Sequence, residues 1–122
     1  MDAILDTNVV RQLVALGDDT GDPEFFTTLV DEFVDQGRGW IEGAQTALGA
    51  GEFGEARNCA HGLKGSAATI GAVRTSLLAR DLEDAARAED LARAQAAHAA
   101  LVVAFDETAR ALRSFGGIAV VD

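Results

Sequence analysis

His61, in the run AHGLKGS, is the residue whose type and neighbours most clearly allow chemistry. The ordinary pKa of histidine is about 6.5, so at pH 7 most of an imidazole is neutral and one ring nitrogen has a free lone pair. That nitrogen can attack phosphorus without a separate base. Lys64 lies one helical turn along, where its ammonium can neutralise a phosphoryl group on the ring. The spacing therefore predicts a phosphoryl-accepting histidine.

Two glycines, Gly62 and Gly65, fall inside the same predicted helix, where each costs roughly 1 kcal/mol relative to alanine. Gly65 shares a face with His61, and the missing side chain lets another molecule's surface approach the imidazole. At about 100° per residue, Arg57 and Ala68 also fall on this face. The apolar residues of the segment fall on the opposite one: Cys59, Leu63 and Ile70. We therefore expect His61 to point away from the core, with Arg57, Gly65 and Ala68 available to a partner.

The rest of the chain predicts an all-α protein, because apolar residues recur every three or four positions and never alternate over a useful length. We expect helices over residues 7–16, 22–48, 52–70, 73–88 and 91–114. The run GDDTG is expected to end the first helix, and Asp22-Pro23 to begin the second as cap and first helical residue. Long amphipathic helices joined by short turns predict an antiparallel four-helix bundle with an additional short N-terminal helix at one end. We expect one domain over 1–122, with the bundle at 6–114 and a tail at 115–122.

Composition excludes several classes of function. The net charge of −10 repels a phosphate backbone, so nucleic acid is not an expected partner. One cysteine, Cys59, and two histidines provide no zinc spacing, and no metal site is predicted. No apolar run reaches membrane-spanning length and the N-terminus lacks the features of a signal peptide, so we expect a cytoplasmic protein without membrane contact.

Motifs of complete enzymes are missing around His61. The sequence has no Ser/His/Asp order, no GxxxxGK[ST] phosphate loop and no carboxylate cluster near His61 in sequence that could hold Mg²⁺. A partner would therefore have to supply the metal and most of the stabilisation of a phosphoryl-transfer transition state. His98 has no such surroundings, and we interpret it as structural or merely exposed.

The run AHGLKGSAATIGA resembles the signature of the histidine-containing phosphotransfer (HPt) family, in which His is followed after one residue by Leu-Lys-Gly-Ser and later by Gly-Ala. The similarity extends over roughly residues 5–113. Its framework positions are Asp22 to Phe26, Phe33, Leu48, Gly51, Glu52, Leu82, Glu83, Leu101 and Phe105.

The resemblance implies roles for individual residues. His61 would be phosphorylated on Nε2, and Lys64 would steady the phosphoryl group. Gly65 would permit docking of a receiver domain, and Ser66 would support the helix from inside. Glu83 matches the position of a polar side chain that, in some relatives, reaches the other nitrogen of the imidazole.

The function implied is that of an intermediate in a multistep phosphorelay, which accepts phosphoryl from a receiver-domain aspartate and passes it to another receiver. A monomer is expected because one such bundle can close its own core. Its partners would be receiver domains of response regulators or of a hybrid histidine kinase, which bring their own Mg²⁺; no cofactor and no autokinase activity are expected. Two alternatives stay open: a non-catalytic docking bundle, and the phosphoacceptor fragment of a hybrid sensor kinase. The absence of Pro after His61 and of an ATP-binding segment speaks against the second.

Overall fold

The computed structural model describes residues 3–115, and within this range the chain forms five helices and no strand. The helices are α1 (Thr7–Thr20), α2 (Phe25–Gly49), α3 (Phe53–Ile70), α4 (Val73–Arg87) and α5 (Leu91–Phe115). From α2 onward each helix packs against the next, and α2 also packs against α5, which closes a four-helix bundle. The predicted all-α bundle with an added N-terminal helix is confirmed.

The core takes fully buried side chains from each of the four long helices. Representative members are Val30, Leu63, Leu82, Leu101 and Leu112. Burying each such side chain contributes about 1.5–3 kcal/mol relative to leaving it exposed. Because Leu63 is fixed in the core, the side of α3 that carries His61 must face outward.

The prediction that the first helix ends near residue 16 is wrong, because α1 continues to Thr20. Gly17, expected to break the helix, is buried inside it, and a Cβ at this position would lie 2.9 Å from Cβ of Phe25. The glycine thus allows α1 and the start of α2 to approach closely. The helix ends at Gly21, whose φ of 74° lies in the left-handed region that glycine favours.

The start of α2 also differs from the prediction. Asp22 accepts a hydrogen bond from the Glu24 N–H at 3.1 Å, but it does so within a turn, and the helix begins at Phe25, two residues after Pro23. The other predicted helix ends agree within one residue. Phe115 belongs to α5, and the rest of the predicted tail, 116–122, lies outside the described residues.

The first helix covers the end of the bundle where α3 turns into α4. The backbone N–H of Asp6 donates to the Gly71 carbonyl at 2.8 Å, and the N–H of Arg74 donates to the Ile4 carbonyl at 3.3 Å.

Along residues 3–115 none of the helices is both long and apolar enough to cross a membrane.

Candidate functional site

His61 lies on the outward side of α3, and 68% of its side chain is exposed. Arg57, Gly65 and Ala68 are exposed on the same helix, whereas Leu63 is buried. The predicted division of α3 into an open face and a core face is therefore confirmed. The consequence is that the imidazole can be reached by another molecule.

The buried partner of the imidazole is Glu83 on α4. Only 5% of the Glu83 side chain is exposed, and its Oε2 lies 2.9 Å from Nδ1 of His61. The neighbouring Leu82 is fully buried, so the packing of α4 against the core fixes the backbone that presents Glu83 to α3. The contact expected from the family resemblance is thus present in the geometry.

Lys64 binds the other oxygen of the same carboxylate. Its Nζ donates to Oε1 of Glu83 at 2.7 Å. This hydrogen bond lowers the pKa of Glu83 below its usual value of 4.5, against the opposing effect of burial, and the hydrogen bond with His61 lowers it further. Glu83 is therefore ionised at neutral pH.

The ionised carboxylate determines which ring nitrogen of His61 carries hydrogen. A carboxylate only accepts hydrogen bonds, so Nδ1 of His61 must be the donor in its contact with Glu83. In the neutral ring the lone pair is then on Nε2, on the opposite side of the imidazole. The free lone pair is therefore on the ring nitrogen that does not contact Glu83, in a side chain that is mostly exposed.

Arg87, one turn beyond Glu83 on α4, is a member of the site that sequence reasoning missed. Its Nη2 lies 3.5 Å from Oε2 of Glu83, and its Nη1 donates to Oδ1 of Asp84 at 3.1 Å. The sequence itself indicated this contact, since a glutamate followed by an arginine four residues later commonly forms an ion pair on a helix. Two cations, Lys64 and Arg87, thus flank the buried carboxylate.

The two predicted glycine positions of α3 differ in what surrounds them. A Cβ at Gly62 would lie 2.7 Å from Cε2 of Trp40, so this glycine makes room for the half-buried indole. A Cβ at Gly65 would meet no atom within 4 Å. Packing inside the molecule explains Gly62 but not Gly65, which leaves an open surface one turn from the imidazole.

The remaining predicted residues take no part in the ion pairs around Glu83. Arg57 is exposed, and its side chain forms no hydrogen bond or ion pair with residues 3–115. Ser66 is half-buried on the wall of a largely apolar cavity of about 350 Å³ that is lined by residues of α1, α2 and α3. Its supporting role and the partner-binding roles of Arg57, Gly65 and Ala68 remain predictions.

The donor groups of the described chain are not arranged to bind a metal ion. Among residues 3–115 no group of three or more His, Cys, Asp or Glu side chains could hold one. Glu83, the acid that contacts the imidazole, also pairs with Lys64 and Arg87.

Comparison with protein families matches residues 28–115 to the Hpt domain. A search of curated protein sequences found no match.

Solved structures with similar folds include histidine-containing phosphotransfer protein B from Pseudomonas aeruginosa PAO1, with a TM-score of 0.83 and 26% identity over 96% of this chain and 97% of that one. A histidine-containing phosphotransfer protein from maize has a TM-score of 0.83 at 21% identity, over 94% of this chain and 84% of that one. A protein from rice described as a putative histidine-containing phosphotransfer protein has a TM-score of 0.79 at 22% identity, over 94% and 82%. At these identities the two plant proteins show a common fold alone.

Proposed function

The chain belongs to the Hpt domain family, and we propose that it accepts a phosphoryl group from a receiver-domain aspartate on Nε2 of His61 and passes it to the aspartate of another receiver. The observation that carries this proposal is the hydrogen bond between Nδ1 of His61 and the buried, ionised Glu83. It supports Nε2 as the free nucleophile in a side chain that is mostly exposed.

In the proposed step, the Nε2 lone pair forms a bond to phosphorus while the bond from phosphorus to the aspartyl oxygen breaks. The aspartate leaves as a carboxylate with the bonding electron pair. The ring retains its hydrogen on Nδ1 and gains a positive charge, which the Glu83 carboxylate stabilises at 2.9 Å. The reverse sequence, with a second aspartate attacking phosphorus, returns His61 to its neutral form.

Lys64 and the open surface have complementary roles in the proposal. The Lys64 ammonium neutralises charge on the phosphoryl group. Gly65 and Ala68 allow the receiver to approach the imidazole, and Arg57 contacts it from one turn before His61. Such an interface is small and transient.

The partner receiver is proposed to supply Mg²⁺ from its own carboxylates, since this chain has no suitable cluster among the described residues. We further propose that the protein is a monomeric carrier without autokinase activity and acts in the cytoplasm together with its receivers.

The test is transfer from phosphorylated receiver domains to the protein and to its His61→Gln variant. We expect label on the unmutated protein alone, lost in acid and retained in base, as a phosphoramidate bond requires. A labelled His61→Gln variant would contradict the site. A receiver that binds but never transfers would favour the docking bundle, and label from ATP and Mg²⁺ alone would favour the kinase fragment.

A further inference from the structure

Lys64 already has an anionic partner before any phosphoryl group arrives. Its Nζ lies 2.7 Å from Oε1 of Glu83, whose side chain is almost completely buried. A buried carboxylate that loses its counter-charge is strongly destabilised, because water cannot replace the missing cation. The ring of His61 is neutral until its bond to phosphorus forms, so if Lys64 is to bind the incoming phosphoryl group, another cation must take its place at Glu83.

Arg87 has the position and the chemistry for this exchange. Its Nη2 is 3.5 Å from Oε2 of Glu83, slightly longer than an ordinary hydrogen bond, and 53% of its side chain is exposed. The guanidinium has five N–H donors, so it can close on Glu83 while it retains its bond to Asp84. A small movement of the Arg87 side chain would suffice.

We propose that Arg87 is a positioning residue of the phosphoryl site, which takes over Glu83 when Lys64 moves to the phosphoryl group that approaches His61. This inference rests on the proposed function. A phosphoryl group carries about two negative charges at pH 7. Before the bond to His61 forms, the ring is neutral and the cations that pair with Glu83 are Lys64 and Arg87, so the exchange gives each anionic group one of them.

The exchange predicts that Lys64 is unable to serve the phosphoryl group when Arg87 is absent. Glu83 would then retain Lys64, and the incoming group would meet charge repulsion from Glu83 without a nearby free cation. Loss of Arg87 should therefore have the same kinetic effect as loss of Lys64, although Arg87 need not touch the phosphoryl group.

The experiment measures the initial rate of His61 phosphorylation by phosphoramidate, a small donor that needs no protein partner. We expect Arg87→Ala to slow the reaction roughly tenfold, which corresponds to one charge-assisted hydrogen bond. The double variant Lys64→Ala/Arg87→Ala should be no slower than Lys64→Ala, because both changes remove the same interaction. Arg87→Lys should recover most of the rate, since lysine also pairs with a glutamate four residues before it.

A Glu83→Gln background separates the exchange from a direct effect of the arginine charge. The neutral amide does not hold Lys64 as a counter-ion, so Arg87→Ala should cause no further loss in this background. The matched control is Arg80→Ala, which removes the same charge from an exposed position on α4.

Three results would overturn the inference: an Arg87→Ala rate equal to that of Arg80→Ala, the same loss in the Glu83→Gln background, or additive losses with Lys64→Ala. Any of them, with normal phosphorylation of the unmutated protein, would leave the proposed function intact. If neither phosphoramidate nor any receiver phosphorylates His61, the proposed function and this inference fail together.

Discussion

The two histidines of the chain differ in exposure, in the ring nitrogen that is engaged and in the group that engages it. His61 on α3 is exposed, and its Nδ1 bonds the ionised carboxylate of Glu83. His98 on α5 is buried, and its Nε2 lies 2.9 Å from the carbonyl oxygen of Ile41 on α2. Because a carbonyl only accepts hydrogen bonds, Nε2 of His98 must carry the hydrogen.

This difference shows that the surroundings, and not the residue type, decide what an imidazole does. At His98 the bond joins α2 to α5 and satisfies a backbone carbonyl, so the ring contributes to the bundle. At His61 the bond leaves Nε2 free and places a negative charge beside the ring, where the proposed phosphorylated form would be positive. One histidine is thus structural, as expected from the sequence, and the other is suited to phosphoryl transfer.

The largest difference that we expect between the His61 and His98 sites is the loss of reaction rate when the Glu83 carboxylate is removed. Glu83→Ala should slow phosphorylation of His61 by phosphoramidate roughly 10- to 100-fold, because a hydrogen bond to a charged group contributes about 1.5–3 kcal/mol. Asp81→Ala, an exposed acid on the same helix, is the control. A folded Glu83→Ala variant with the unmutated rate would contradict the role of Glu83 in orienting the ring.

Removal of the His98 side chain should change the stability of the protein and leave the phosphorylation rate of His61 unaltered. His98→Ala leaves the Ile41 carbonyl without its partner and creates a cavity, which together should lower the free energy of unfolding by about 1–3 kcal/mol. Urea denaturation measures this change, and the phosphoramidate rate of the folded variant should be unaltered. A slower reaction would mean that the two histidines are not independent.

A substitution at Gly65, on the open surface beside His61, should have a smaller effect on stability, and this effect should be stabilising. Gly65→Ala should raise the free energy of unfolding by up to about 1 kcal/mol, since alanine favours a helix and its Cβ meets no atom within 4 Å. The same change should slow transfer from a receiver domain while the phosphoramidate rate is retained. Equal losses with both donors would argue against a docking role for Gly65.

The smallest expected effect is the pH dependence of stability. Because the pKa of Glu83 is lowered in the folded protein, its stabilising contribution is present above the usual value of 4.5 and is lost as the pH falls through the lowered pKa. Urea denaturation from pH 7 to pH 3 should therefore show a smaller acid-induced loss for Glu83→Gln than for the unmutated protein. Glu42→Gln, at an exposed position of α2, should retain the full loss.

The helices and the outward face of His61 were predictable because they depend on local periodicity. Gly62 was recognised as a cost in the helix, but its cause, the indole of Trp40, lies 22 residues away on another helix. Gly17 misled the prediction for the same reason, since a glycine needed for close packing and one that ends a helix are alike in sequence. Glu83 was predicted through the family resemblance, whereas no role was predicted for Arg87.

By itself the sequence determined an all-α chain, a histidine on an exposed helical face, and a lysine and a small residue one turn away. These properties follow from the helical period of one segment and need no other part of the molecule. Only the tertiary structure decided which nitrogen of His61 is free, because the packing of α4 against α3 buries Glu83 beside Nδ1. It also decided that Lys64 and Arg87 share one carboxylate, since that contact joins residues of two helices across 19 positions of the chain.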